Sequence, residues 1–146
     1  MPRLDAERIG LLRSLLTTTT AISRLIDADL MDEFGLPLAW FDVMAALRRA
    51  GGSMRVNELR ADLDEVPSSL SRRLDRMEEH GWVARQATPT DHDRRAVTVH
   101  LTREGRSLWR DANITYRRAV QTHFAAVVTD SDITALQRLL TKLARE

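Results

Sequence analysis

A chain of 146 residues is long enough for one domain with a real core, and 43% hydrophobic with 29% charged residues is ordinary for a globular protein. There is no cysteine, which excludes a disulfide framework, a zinc ribbon and a cysteine-based redox sensor. The net charge is only +1, so charge for binding nucleic acid must be local; every basic residue except Lys142 is an arginine.

No stretch reaches the roughly 20 apolar residues of a membrane span. Asp5, Glu7, Arg8 and Arg13 interrupt any signal-peptide core, so a cytoplasmic location is expected. From Asp5 to Glu33 no proline occurs, and Ile9, Leu12, Leu16, Ile22, Leu25, Ile26 and Leu30 recur at helical spacing. This predicts one long helix, with a bend expected at Thr17–Thr20, where β-branched residues lose rotamer freedom. Gly35 and Pro37 end it. A second helix is expected over Leu38–Ala50, carrying Phe41, Met44, Ala45 and Leu47 as its apolar stripe.

A short third helix is expected over Val56–Leu63, a turn at Asp64-Glu65, and a fourth helix from Pro67 to Gly81. The period then changes to two. Trp82 and Val83 open a strand, Val97, Val99 and Leu101 alternate with Thr98 and His100, and the polar run Pro89–Arg95 forms the tip of a hairpin. Thr102 is placed to cap a fifth helix reaching about Val128. Thr129 and Asp132 resemble a capping box for a sixth, with Ile133, Leu136, Leu139, Leu140 and Leu143 apolar. The fold class is therefore mainly α with a small β-hairpin.

Two short helices joined by a tight turn and followed by a hairpin form a winged helix-turn-helix, whose second short helix enters the major groove. On the fourth helix, Leu70, Leu74 and Met77 fall together and face the core at about 100° per residue. Ser68, Ser69, Arg72 and Arg76 fall on the other side. An arginine fork bonds guanine O6 and N7, and a serine reaches phosphate or a base edge. Asp75, Glu78 and Glu79 share that helix, so a merely solvated face competes with this reading. Arg94 and Arg95 at the wing tip favour DNA, since arginine enters a narrow minor groove; Asp93 beside them is placed to hold a guanidinium.

The stretches Ser68-Ser69-Leu70-Ser71-Arg72-Arg73-Leu74-Asp75-Arg76-Met77-Glu78, Gly81-Trp82-Val83, Asp93-Arg94-Arg95-Ala96 and Leu101-Thr102-Arg103-Glu104-Gly105 resemble the MarR (multiple antibiotic resistance regulator) family. The resemblance extends over nearly the whole chain, through Gly35-Leu36, Phe41–Met44 and the terminal helices. It implies a homodimeric transcriptional regulator, a repressor, on a pseudo-palindromic site in double-stranded DNA. Residues 36–101 would be the winged lobe, and residues 1–34 and 102–146 the dimerisation helices of one MarR-like domain. Ser68, Ser69, Ser71, Arg72, Arg73, Arg76, Arg94 and Arg95 would contact DNA, with Asp93 and Arg95 as the wing pair. Three positions depart from the pattern: Arg55 and Val66 stand where Ser or Thr caps the third and fourth helices, and Asp64 replaces the turn glycine.

The resemblance also implies a crevice for small aromatic effectors. Phe34, Trp40, Phe41 and Met44 are the candidate lining; the competing reading for them is packing. His80, His92, His100 and His123 have no zinc-like spacing, and no Walker loop, dinucleotide fingerprint or nucleophile elbow occurs. No metal, cofactor, catalytic residue or enzymatic activity is expected. The alternative from another class is a helical protein–protein adaptor that does not bind DNA.

Overall fold

The computed structural model describes residue 1 and residues 3–144. The outer ends of the two expected dimerisation segments, residues 2 and 145–146, lie outside the described residues.

Helix α1, Ala6–Phe34, is capped by the Asp5 carboxylate, which accepts from Arg8 N–H at 2.8 Å. It stays helical through Thr17–Thr20, where the hydroxyls of Thr17 and Thr20 donate to the carbonyls of Arg13 and Leu16, the back-bonding that often bends a helix. Gly35 ends the helix in the left-handed region at φ 60°. Helix α2, Leu38–Arg49, has Pro37 at its start and no cap of its own. Asp27 of α1 supplies one from a distance, its Oδ1 accepting from Leu38 N–H at 2.8 Å.

Strand β1, Ser53–Arg55, precedes α3, Val56–Leu63, and α4, Pro67–Glu79. Arg55 and Val66 occupy the N-cap positions of α3 and α4 without a side-chain bond, and Asp64 holds a left-handed φ of 50° in the turn between them. These are the three departures read in the sequence. Strands β2, Val83–Ala87, and β3, Val97–Leu101, form the wing hairpin. The sheet has three antiparallel strands in the order β1-β3-β2, so β3 is central. Strand β1 was not expected. It has three residues and one inward apolar side chain, Met54, too few to show a period.

Helix α5, Arg103–His123, stops short of the expected Val128. Phe124 leaves helical geometry, a 3-10 turn covers Ala125–Val127, and β-branched Val127 and Val128 offer little to continue the helix. Helix α6, Asp130–Leu143, carries the expected capping box between Thr129 and Asp132.

The core lies where α2, α3, α4 and the sheet meet the end of α1 and the middle of α5. Phe41, Met44, Leu47, Leu59, Leu70, Leu74, Met77, Val83 and Leu101 are fully buried there. Gly105 lets α5 rest directly on the start of β2: a Cβ at that position would lie 2.0 Å from the Trp82 carbonyl oxygen. Thr102 locks the same joint, its hydroxyl donating to the Gly81 carbonyl at 2.6 Å and accepting from Gly105 N–H at 3.0 Å. Helices α1 and α5 are tied by polar contacts. Thr115 Oγ1 donates to Glu33 at 2.5 Å, and His123 Nε2 lies 2.9 Å from Asp29. No helix among the described residues is long and apolar enough to cross a membrane.

Candidate nucleic-acid interface

Helix α4 is amphipathic with an unusually sharp division. Leu70, Leu74 and Met77 are buried, while Ser68, Arg72 and Arg76 are exposed and Ser69 is half-buried. The three buried side chains fix the rotation of the helix about its axis, and that rotation aims the arginines outward. Ser71, also exposed, points to the wing side and lines a cleft of about 330 Å³ with Arg55, Asn57, Arg85, Asp93 and Arg95.

Arg73 is set apart from this row. Its guanidinium turns inward and donates to Glu65 at 2.7 Å; the two side chains are only 13% and 23% exposed. Sequence reasoning grouped Arg73 with the DNA contacts because it sits inside the matching motif. In the structure its charge is committed to the turn before α4. Asp42 on α2 lies in the same field. Burial raises its carboxyl above the ordinary value, against the pull of Arg73 and Arg49, and Glu65 raises it further.

The wing tip carries Arg94 and Arg95, both exposed. Asp93 supports this tip through the backbone and not, as expected, by gripping a guanidinium. Its Oδ1 accepts from Arg95 N–H at 3.0 Å, and its own N–H donates to Thr90 Oγ1 at 2.9 Å. Thr90 N–H closes the turn on the Asp93 carbonyl at 2.8 Å. The result is an Asx-type turn that fixes where Arg95 leaves the chain.

Arg85 was missed. It lies on β2, and its Nε donates to Glu78 Oε2 at 2.9 Å while its Nη2 pairs with Asp75. Burial pulls its pKa down, but the bonds to the two carboxylates outweigh that and the net shift is upward. The acids that made the face of α4 ambiguous are thus partly neutralised by the wing. The only sequence signal was an arginine seven and ten residues beyond two acids, which neither helical nor strand periodicity detects.

Phe34, Trp40, Phe41 and Met44 do not surround one cleft. Phe41 and Met44 are 1% and 0% exposed, and Phe41 stacks on Tyr116 with ring centroids 4.5 Å apart. Trp40 lies edge-on to His80 at 5.6 Å and to Trp82 at 5.8 Å. Phe34 packs against the core. A pocket wall needs accessible surface, so packing accounts for Phe41 and Met44, while Phe34 and Trp40 are half-buried.

The model of a family described as the MarR family matches residues 34–96, which contain the whole helix-turn-helix and the tip of the wing. The transcriptional regulator PecS of Dickeya dadantii is 35% identical over 113 residues; the match covers 73% of this chain and 64% of PecS, so the chain spans just under two thirds of that relative. Sco3205, a MarR family regulator of Streptomyces coelicolor solved in complex with DNA, superposes with a TM-score of 0.86 at 25% identity, over 99% of this chain and 90% of that one. A MarR variant from E. coli complexed with operator DNA superposes with a TM-score of 0.80 at 27% identity, over 98% and 99% of the two chains.

Proposed function

We propose that the chain, which the MarR family model matches over residues 34–96, is a MarR-type sequence-specific DNA-binding transcriptional regulator, a repressor acting as a homodimer on a pseudo-palindromic operator. The observation that carries this reading is the cleft that Ser71 of α4 shares with Asp93 and Arg95 of the wing. Arg72 and Arg76 are exposed on α4, and Arg94 and Arg95 are exposed on the wing. The DNA complexes of the two structural relatives support it.

Arg72 reads a base edge in the major groove and Arg76 takes a base or phosphate. Ser68, Ser69 and Ser71 bond phosphates around the start of α4, whose free N–H groups favour an anion. Arg95 enters the minor groove. Arg73 does not touch DNA; it braces the turn that sets α4.

The dimer rests on apolar surface that a single chain leaves open. Helix α6 has no buried residue, and its Leu139, Leu140 and Leu143 are exposed. Helix α1 exposes Ile9, Leu12 and Leu16. Contiguous apolar faces of this kind mark an interface. A second copy covers them by two-fold symmetry and places the two α4 helices in successive major grooves. Residues 1–34 and 102–146 serve this pairing, and residues 36–101 form the reading lobe. The protein works in the cytoplasm on chromosomal DNA, where occupation of the operator excludes polymerase. The reading assigns no catalytic residue, cofactor or metal, and the adaptor alternative is not favoured, because it leaves the arginine face without a role.

Fluorescence anisotropy of labelled duplex DNA at rising salt tests this. A protein contacting six to ten phosphates loses about 10³- to 10⁵-fold in affinity between 50 and 200 mM salt. Absence of binding at low salt would remove the DNA-binding reading and restore the adaptor.

A further inference from the structure

We propose that Arg48, Arg106 and Arg110 form a binding site for a small organic dianion, a phosphate ester or a dicarboxylate, at the root of the wing. The site is separate from the DNA-facing arginines. Helix α2 ends in Arg48 and Arg49, and the chain turns through Gly51 and Gly52, at φ 87° and 112°, into β1. The first turns of α5 run past this corner and close a cleft of about 390 Å³. That volume lies in the range of small-molecule sites.

Three guanidiniums line the cleft, together with Trp109. Arg48 sits over the Trp109 ring, 5.5 Å from its centroid. Arg106 Nη1 donates to the Leu101 carbonyl at 3.1 Å, which anchors that side chain beside the opening. Among the described residues none of the three is in an ion pair. The reason lies in the helical wheel. At about 100° per residue Arg106, Trp109 and Arg110 share one side of α5, while Glu104, Ser107 and Asp111 share the other. That second group lines a different cleft together with Arg103.

The placement works against stability. Arg106 stands beside the first turn of α5, where the helix end is itself positive and cations are disfavoured. With Arg48 and Arg110 it brings three like charges to a cleft whose lining contains no acid, an arrangement that a bound anion relieves. Guanidinium forks pair with phosphate or carboxylate through two parallel bonds. Leu101 N–H bonds the Gly52 carbonyl at 2.9 Å, which puts the cleft at the end of the sheet opposite the tip. Four residue steps of β3 at about 3.3 Å each separate the two ends, so DNA seated on Arg94 and Arg95 does not fill it.

Isothermal titration of the full-length protein with pyrophosphate and, separately, succinate at constant ionic strength tests the site, with sodium chloride as the control. Saturable binding of one equivalent per chain is expected for at least one anion, and which one binds assigns the ligand to phosphates or carboxylates. Arg110→Ala is expected to weaken that binding about tenfold or more, with the thermal midpoint not lowered. Arg72→Ala, outside the cleft's lining, is expected to bind the anion as wild type does. Binding of neither anion above the chloride control, full binding by Arg110→Ala, or loss of binding in Arg72→Ala would each overturn the proposal. Because no DNA is present, this result is independent of whether the protein binds an operator.

Discussion

Arg85 of β2 joins the wing to α4 by donating from Nε to Glu78 Oε2 at 2.9 Å while its Nη2 pairs with Asp75. This contact orients one DNA-facing element against the other and removes the repulsion two free carboxylates would exert on phosphate. Arg85→Ala is therefore expected to lower operator affinity while the protein stays folded. Adding Asp75→Asn and Glu78→Gln to that variant should restore part of the loss, because the exposed charges go with the substitution. Filter binding on the single and triple variants decides it; equal affinity in Arg85→Ala and wild type would show that the bridge does not matter to DNA.

Arg72 and Arg73 are neighbours with opposite duties. Arg72→Ala is expected to cost about 1–3 kcal/mol of operator binding, relax preference at one position per half-site and leave stability unchanged. Arg73→Ala leaves Glu65 without its partner and is expected to cost about 1–3 kcal/mol of folding stability. Urea denaturation alongside operator titration separates them. If Arg73→Ala weakens DNA binding without loss of stability, the inward placement of Arg73 does not describe the working protein.

The division between these two arginines shows how far a sequence carries. The rotation of α4 was legible because Leu70, Leu74 and Met77 recur at helical spacing, and the wing was legible from the alternation Val97, Val99, Leu101. Asp64, Arg55 and Val66 could be placed only through the resemblance to the MarR family, since Arg55 and Val66 are not residue types that cap positions favour. Arg73 could not, because its partner Glu65 lies eight residues away across a turn. Asp27 capping α2 and Arg85 bridging to α4 are likewise long-range contacts that leave no periodic trace. The three residues of β1 become a strand only through pairing with β3.

Asp93 acts on the wing through one backbone bond to Arg95. Asp93→Ala removes it, and operator binding is expected to weaken by about 0.5–1.5 kcal/mol, less than the loss in Arg95→Ala. Asp93→Asn keeps an acceptor oxygen and is expected to retain most of the affinity. Competition titration of the three variants measures the order; equal losses in Asp93→Asn and Asp93→Ala would mean that the carboxylate charge, not the turn, is what counts.

Asp132 holds the start of α6. The Thr129 backbone N–H, followed by the Thr129 hydroxyl, lowers its carboxyl pKa below the ordinary 3.8. A lowered folded-state value means the contribution to stability is fully present above the ordinary value and is lost as pH falls through the folded one. Wild type is therefore expected to lose stability relative to Asp132→Asn as pH drops below about 4, the two curves running parallel at neutral pH. Urea midpoints followed by circular dichroism across that range provide the check; parallel curves throughout would show that the capping box does not titrate.

Selection of bound duplexes from random-sequence DNA by the purified full-length protein tests the central claim most directly. A homodimer presenting Arg72 and Arg95 from each copy is expected to enrich a pseudo-palindrome whose half-sites lie about 10–10.5 base pairs apart, one turn of the duplex. Enrichment of no motif, or of a single asymmetric half-site bound by a monomer, would contradict it.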